Sequence, residues 1–320
     1  MLDRLARIPI TRGNDVQLLV DGAATFEAMF AAIASARSYV LAQFYIVRDD
    51  RLGRDFQAAL IARARAGAKV FLLYDEIGSL SLSGSYLDAL RAAGVQVSGF
   101  RTTRGRRNRF QLNFRNHRKV VVVDGRTAFT GGLNVGDEYL GRDPAVGHWR
   151  DTHLRLEGPS VQAVQSAWMA DWYWATRSAP ALQWQPEPSA RHDVPVFVLP
   201  TGPADADAML QLFFMQCLAV ARKRAWFANP YFVPGGPVFE AMRLAALRGV
   251  DVRLLLPEKN DSKLIQLAAF SFLDAAERAG VKTLLYRQGF LHQKVMLIDD
   301  ALASVGSANL DTGRCGSTSR

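Results

Sequence analysis

NHRKVVVVDG (116–125) and FLHQKVMLIDD (290–300) are two copies of one short pattern in this chain. In each copy a His is followed two residues later by a Lys and seven residues later by an Asp. The residues concerned are His117, Lys119 and Asp124 in the first copy and His292, Lys294 and Asp299 in the second. Since the chain has only five histidines, the repetition indicates an internal duplication of the fold.

The similarity extends to the sequence on both sides of each copy. Apolar runs that predict strands occur at 38–47 and 224–233, and each is followed by an amphipathic stretch that predicts a helix. Gly67 and Gly249 end these two predicted helices. Strands that alternate with helices predict an α/β fold of two homologous halves, each a mixed β-sheet flanked by helices and related to the other by a pseudo-twofold axis.

The boundary between the halves is predicted within 178–195, a stretch rich in Pro, Ala and polar residues. We therefore expect an N-terminal half at 1–185 and a C-terminal half at 186–320. If a pseudo-twofold axis relates them, equivalent residues of the two halves meet at the interface, and the two copies of the pattern would form one site.

Side-chain alternation separates the members of each pattern into two groups. The branched run after Lys119 predicts a buried strand, and Asp124-Gly125 predicts a hairpin turn at its end. Because side chains alternate along a strand, His117 and Lys119 share a face, whereas Asp124 at an odd offset points elsewhere. Although Asp124 and Asp299 belong to the repeated catalytic pattern, we interpret both as turn or support residues.

Each half also carries an Asn, Asn134 or Asn309, 17 residues after its His and next to small residues. Paired Lys and Asn side chains predict a receptor for a tetrahedral oxyanion and for the extra charge of a pentacoordinate transition state. Small residues let the main chain approach a ligand closely. Of the two His, one can attack phosphorus and the other can act as general acid and then as base.

A metal site is the competing interpretation of these residues. The stretch GHWRDTH contains His148, Asp151 and His153, which are possible ligands. Lys, however, is charged at neutral pH and binds metals poorly, and the two cysteines show no ligand spacing. We therefore expect neither a metal nor another cofactor.

The net charge of +9 is concentrated in the basic segment 101–119, where eight residues are Arg or Lys and none is acidic. A solvated loop and a patch that meets anionic phosphates both fit this composition. Charge alone does not distinguish lipid from nucleic acid as the partner.

The repeated pattern, HxKx4D followed by Gly-Gly or Gly-Ser and then Asn, resembles the signature of the phospholipase D superfamily. Longer strings, QFYIVRDDRLGR, GGLNVGDEYLGRD, WRDTHLRLEGP and LPTGPAD, are similar to the bacterial cardiolipin synthases, its phosphatidyltransferase branch. The resemblance extends over residues 8–311. It implies that each half has a phospholipase D-like fold.

The resemblance also implies a reaction, phosphatidyl transfer between two phosphatidylglycerol molecules. His117 would attack the first phosphodiester, glycerol would leave with a proton from His292, and the second phosphatidylglycerol would attack phosphatidyl-His117 to give cardiolipin. The sequence itself is symmetric as to which His attacks. The residues implied to hold the phosphate are Lys119, Lys294, Asn134 and Asn309. Asp151 would orient one of the catalytic histidines.

A lipid substrate and an anionic membrane surface account for the basic segment 101–119 without a nucleic acid partner. Members of this branch usually carry membrane-spanning helices upstream, whereas this chain contains no run of about 18 apolar residues. We therefore expect a peripheral association with the bacterial inner (cytoplasmic) membrane.

Two other functions stay open. One is a phosphodiesterase, a phospholipase D or a nuclease, with water as acceptor; the other is a truncated, inactive protein that binds anionic membranes. The ending TGRCGSTSR (312–320) departs from the family continuation, roughly NRSLRLNFE. The hypothesis of a one-base deletion predicts loss of a Glu equivalent to Asp151, and with it weak activity or low stability.

Two further segments have more than one interpretation. DWYW (171–174) predicts packing in the core or between the halves, or insertion into a membrane. The carboxylates of DEIGS (75–79) either line the cleft or solvate a loop.

Overall fold

The computed structural model describes residues 8–100, 116–201, 209–234, 236–259 and 272–311. Most of the basic segment and the ending 312–320 therefore lie outside the described residues. The helices are α1 (Asp21–Ser35), α2 (Arg51–Arg65), α3 (Gly84–Ala92), α4 (Ser160–Thr176), α5 (Met209–Val220), α6 (Gly236–Leu247), a 3-10 helix (Asp137–Leu140) and a helical segment at 272–278.

The strands of the N-terminal half are β1 (Thr11–Val20), β2 (Tyr39–Phe44), β3 (Lys69–Asp75), β4 (Gln96–Phe100), β5 (Val120–Val123), β6 (Thr127–Gly131), β7 (Trp149–Arg150), β8 (Thr152–Glu157) and β9 (Val194–Val196). Those of the C-terminal half are β10 (Arg224–Ala228), β11 (Phe232–Val233), β12 (Asp251–Pro257), β13 (Lys282–Tyr286), β14 (Phe290–Leu291), β15 (Val295–Ile298), β16 (Leu302–Val305) and β17 (Leu310–Asp311).

The first sheet has eight strands in the order β4-β3-β2-β5-β6-β8-β1-β9. Strands β2, β3 and β4 run parallel, and the other pairings are antiparallel. All six residues of β2 are buried because helices cover both faces of the sheet. Met29, Ile33 and Phe56 pack on one face, and Trp168 and Trp172 of α4 pack on the other.

The second sheet has five strands in the order β13-β12-β10-β15-β16. Its parallel pairs, β10 with β12 and β12 with β13, and its antiparallel pairs, β10 with β15 and β15 with β16, repeat those of β4-β3-β2-β5-β6. A second core packs against it from α5 and α6, through Phe213, Leu218 and Met242. The prediction of two homologous halves, each with a mixed sheet flanked by helices, is confirmed.

Two details of the structure bear on the relation between the halves. The strand β9 pairs with β1, with Asn14 opposite Val194, so the first sheet continues past residue 185. The hydrogen-bonded registers also align Tyr39 with Arg224, because Asp124 N donates to Tyr39 O and Asp299 N donates to Arg224 O. The similarity of 38–47 to 224–233 instead places Ser38 opposite Arg224, one residue away. Local composition does not determine the strand register.

The two Asp residues of the repeated pattern hold equivalent turns. Asp124 has a φ of 52° and Asp299 a φ of 50°, a left-handed conformation that suits tight turns. The Asp124 carboxylate accepts hydrogen bonds from three consecutive main-chain N–H groups, at 37–39, over 2.7 to 2.8 Å. Asp299 accepts from the N–H groups at 222–224, and these hydrogen bonds lower its pKa.

Asp124→Ala is expected to lower the free energy of unfolding by about 2 kcal/mol, because three main-chain donors lose a charged acceptor. Urea denaturation followed by circular dichroism measures this change. Arg126→Ala in the same turn is the control. Its ion pair with Glu187 is exposed and should contribute less than about 1 kcal/mol. Equal stabilities of the two variants would contradict the support role of Asp124.

Candidate active site

A short main-chain pairing joins the two halves next to the second motif. Strand β7 runs parallel to β14, with Trp149 opposite Phe290 and Arg150 opposite Leu291. Phe290 N donates to the His148 carbonyl, and His292 N donates to the Arg150 carbonyl, both over 2.8 Å. The pairing therefore sets the position of Asp151, at the end of β7, relative to His292, at the end of β14.

Asp151 and His292 form a buried hydrogen-bonded pair across the halves. The distance from His292 Nδ1 to Asp151 Oδ2 is 2.7 Å, and their side chains are 13% and 0% exposed. Asp151 also accepts hydrogen bonds from Thr152 N (2.8 Å) and Trp149 Nε1 (3.3 Å). Since Nδ1 is bonded to the carboxylate, the ring orientation is fixed, and Nε2 lies next to Lys294 Nζ.

Burial and the neighbouring charges have opposing effects on the pKa values of Asp151 and His292. Burial alone would raise the pKa of Asp151, but attraction and hydrogen bonding to His292 and the charge of Lys294 lower it to about 2. Burial and the Lys294 ammonium lower the pKa of His292 to about 4, against the raising effect of Asp151. Lys294 Nζ lies 2.9 Å from Nδ1 and 2.8 Å from Nε2 of that ring. At neutral pH the pair is therefore an ionised Asp151 and a neutral His292.

The lysines of the two motifs also belong to this cluster. Lys119 and Lys294 are 2% and 6% exposed. Burial and the charge of Lys294 lower the pKa of Lys119 to about 7, although Asp151 and Asp75 raise it. Lys119 Nζ donates to the His117 carbonyl over 2.7 Å. Two lysine side chains from different halves whose charges repel each other suit a ligand that carries negative charge.

His117 lies at the exposed edge of the cluster. Its imidazole stacks on the ring of Tyr45, with ring centroids 4.1 Å apart and an interplanar angle of 16°. The residue before it, Asn116, is buried, and its side-chain amide donates to Asp171 over 2.7 Å. Asp171 thus anchors the chain at the entrance to the first motif, and Trp172 next to it packs in the core.

The two Asn residues have different surroundings. Asn134 is buried, accepts a hydrogen bond from Ile46 N (3.1 Å) and donates to the Tyr139 hydroxyl (3.0 Å). The amide nitrogen has two hydrogens, so one remains for a ligand. The buried Oδ1 of Asn309 has no hydrogen-bond partner among the described residues. Phosphate binding by Asn134 and Asn309 stays a prediction.

Asp124 and Asp299 are not part of this cluster. Strand β5 separates Asp124 from Lys119, and β15 separates Asp299 from Lys294. Both carboxylates bind main-chain N–H groups of their turns. This geometry agrees with the interpretation of Asp124 and Asp299 as support residues, and a catalytic role for them stays a prediction.

The glycines before Asn134 have a use that the sequence does not reveal. A Cβ at Gly132 would lie 2.0 Å from Asp151 Oδ1, and one at Gly131 would lie 2.6 Å from His153 Nδ1. These glycines therefore make room for Asp151 and for the Thr152–His153 segment, and close approach of their main chain to a ligand stays a prediction. His153 is fully buried, and burial lowers its pKa to about 4.

The possible metal ligands of GHWRDTH have separate surroundings. The ring nitrogens of His148 lie 3.2 Å from Tyr286 and 3.2 Å from Asp21, while Asp151 pairs with His292 and His153 packs against Gly131. Within the described ranges, no three His, Cys, Asp or Glu side chains form a group that could hold a metal ion.

The family model described as "Cardiolipin synthase, PLD-like domain" matches residues 29–144 and 214–318, which include both motifs. The chain belongs to this family. Cardiolipin synthase A of Pseudomonas entomophila (strain L48) is 49% identical over 310 residues, which are 97% of this chain and 64% of that protein. Cardiolipin synthase A of Pseudomonas aeruginosa (strain LESB58) is 52% identical over 310 residues, 97% of this chain and 63% of that protein. The chain thus spans less than two thirds of these relatives.

Solved structures share the fold at low sequence identity. Phosphatidylserine synthase of Haemophilus influenzae Rd KW20 superposes with a TM-score of 0.63 at 12% identity, over 93% of this chain and 79% of that one. Polyphosphate kinase of Porphyromonas gingivalis gives a TM-score of 0.53 at 12% identity, over 89% of this chain and 43% of that one. These likenesses concern the fold alone.

Gly132→Ala is expected to displace the Asp151 carboxylate, because the new methyl group would overlap its oxygens. The low-field proton signal of the His292–Asp151 hydrogen bond should disappear from the NMR spectrum, and the free energy of unfolding should fall by about 1–3 kcal/mol. Gly306→Ala in the second half is the control, since its Cβ would find no atom of the described residues nearer than 4.0 Å. Persistence of the signal in Gly132→Ala would contradict this packing.

Sulfate, which stays fully ionised near neutral pH, should bind with uptake of a proton by Lys119, since a bound anion favours the ammonium. Above pH 7 the free lysine loses its proton, so the Kd should rise by up to about tenfold per pH unit. Calorimetry in buffers of different ionisation enthalpy measures both effects. Lys119→Arg keeps the charge at every pH and should bind without this dependence. The same pH profile in both proteins would exclude Lys119 as its origin.

Proposed function

We propose that this chain catalyses phosphatidyl transfer between two phosphatidylglycerol molecules, releasing glycerol and forming cardiolipin. The observation that carries the proposal is the convergence of Lys119, His292 and Lys294 from two halves, with Asp151 fixing the ring of His292. Membership of the family and about 50% identity to proteins named cardiolipin synthase A support it.

His117 is the proposed nucleophile. It lies at the exposed edge of the cluster, where a phosphodiester from a lipid surface can reach it. A bond would form between an imidazole nitrogen and phosphorus, and the bond from phosphorus to the glycerol oxygen would break. Lys119 and Lys294 would neutralise the equatorial oxygens, with Asn134 and Asn309 as neutral donors.

His292 is the proposed general acid and base. In the free site burial and the Lys294 ammonium keep this ring neutral, so the ring must take up a proton from solvent when the substrate binds. A phosphodiester beside Lys294 would offset the ammonium charge and raise the pKa of His292. Nε2 could then protonate the leaving glycerol, and the neutral ring could deprotonate the hydroxyl of the second phosphatidylglycerol.

The lipid substrate implies that the protein works at a membrane surface. We place the basic segment 101–119 against anionic headgroups, as a peripheral contact with the bacterial inner membrane and without a nucleic acid partner. In the part of the chain that the structure describes, every helix is too short or too polar to cross a bilayer.

The test is incubation of the purified chain with vesicles of labelled phosphatidylglycerol, followed by separation of the lipids. We expect cardiolipin and free glycerol, with a loss of at least about 10³-fold in His117→Ala and in His292→Ala. His192→Ala, at an exposed histidine, is the matched control.

Phosphatidic acid as the main product would instead identify a hydrolase that uses water as acceptor. A folded protein that binds the vesicles but leaves the lipid unchanged would contradict both enzymatic functions.

A further inference from the structure

The two motif histidines are positioned by different devices. His292 is held by the Asp151 carboxylate and by Trp149, whose ring centroid lies 4.9 Å from its own. The ring that stacks on His117 belongs to Tyr45, just after β2. The strand registers align Tyr45 with Pro230, which has no aromatic ring. At this aligned position of the described residues, the stack on His117 therefore has no aromatic counterpart.

Tyr45 is itself fixed by the turn that follows β3. A Cβ at Gly78 would lie 2.2 Å from the Tyr45 carbonyl oxygen and 2.9 Å from two carbons of its ring. Gly78 therefore packs closely against the carbonyl group and the ring of Tyr45. The Ser79 hydroxyl donates to the same carbonyl over 3.2 Å and accepts from Val47 N over 3.0 Å.

One buried carboxylate connects this turn to the first motif. Asp75 accepts hydrogen bonds from Ile77 N and Gly78 N, both over 2.9 Å, and from Asn116 N over 3.2 Å. Asp75 therefore fixes both Gly78, which packs against Tyr45, and Asn116, the residue before His117. The aligned residue of the second half is Pro257, which carries no carboxylate. Asp75 is a buried carboxylate that holds main-chain N–H groups in place. This role differs from both interpretations of DEIGS, lining of the cleft and solvation of a loop.

We propose that Tyr45 is a positioning residue for His117, an inference that rests on the proposed function. A stacked neighbour restricts rotation of the imidazole about its bond to Cβ, so that the attacking nitrogen is presented in one orientation. An imidazole that bonds to phosphorus gains positive charge, and the electron-rich face of Tyr45 attracts that charge. Lys119 Nζ, 5.4 Å from the centroid of Tyr45, ties the same ring to the phosphate-binding group.

Substitutions at Tyr45 distinguish the effect of its aromatic ring from the effect of its side-chain volume. Tyr45→Phe keeps the stack and should retain most of the kcat for cardiolipin formation. Tyr45→Leu and Tyr45→Met remove the ring and should lower kcat by about 30-fold, with a small change in KM. Tyr173→Leu, at an exposed tyrosine of α4, is the control.

A second readout does not depend on turnover. Ring protons of His117, stacked on an aromatic face, resonate upfield in NMR spectra of histidine-labelled protein, and His117→Gln assigns them. Tyr45→Leu and Tyr45→Met should move these signals downfield, while those of His148 and His192 stay in place. If no variant, including the unchanged chain, turns over lipid, the proposed function fails but this readout still tests Tyr45.

Two results would overturn the proposal. One is an unchanged His117 signal in both Tyr45→Leu and Tyr45→Met. The other is a loss of kcat in Tyr45→Phe equal to that in Tyr45→Leu, which would assign the effect to the hydroxyl and not to the stacked ring.

Discussion

The pairing of β7 with β14 is the constraint on which the site depends. It is a contact of two residues on each strand, but it joins the halves and ends at Asp151 on one side and His292 on the other. A carboxylate buried beside ammonium groups is stable only when its hydrogen bonds and charges are matched. The position of one half relative to the other thus decides whether His292 is oriented.

Duplication supplied two His-Lys pairs, but the surroundings of the pairs have diverged. The first half has Tyr45 and Asp75 where the second has Pro230 and Pro257. Asp151 and His153 pack against the glycines before Asn134. At Gly306 in the second half, the nearest atom of the described residues to an added Cβ would be 4.0 Å away. The two roles proposed for the histidines, attack and proton transfer, would need such different environments. On that proposal, the repeated sequence forms one asymmetric site.

Repetition and side-chain alternation were sufficient to predict the fold class and the turn role of Asp124, because both depend on local sequence. The partner of Asp151, the stack of Tyr45 and the need for Gly132 could not be read this way. Each arises from contacts between residues far apart in the chain, such as the 2.7 Å hydrogen bond from His292 to Asp151. The sequence comparison also missed by one residue the alignment of Tyr39 with Arg224. The reason is the same, since strand register is set by tertiary packing.

The central claim is that the two motifs form one binding site for one phosphodiester. Equilibrium dialysis with radiolabelled sulfate, a tetrahedral anion that stands in for the phosphate and is not turned over, measures the number of anion molecules bound per chain. The account predicts one, with binding lost in both Lys119→Met and Lys294→Met. Two molecules per chain, reduced to one by either substitution, would mean that each half binds its own ligand and would contradict the account.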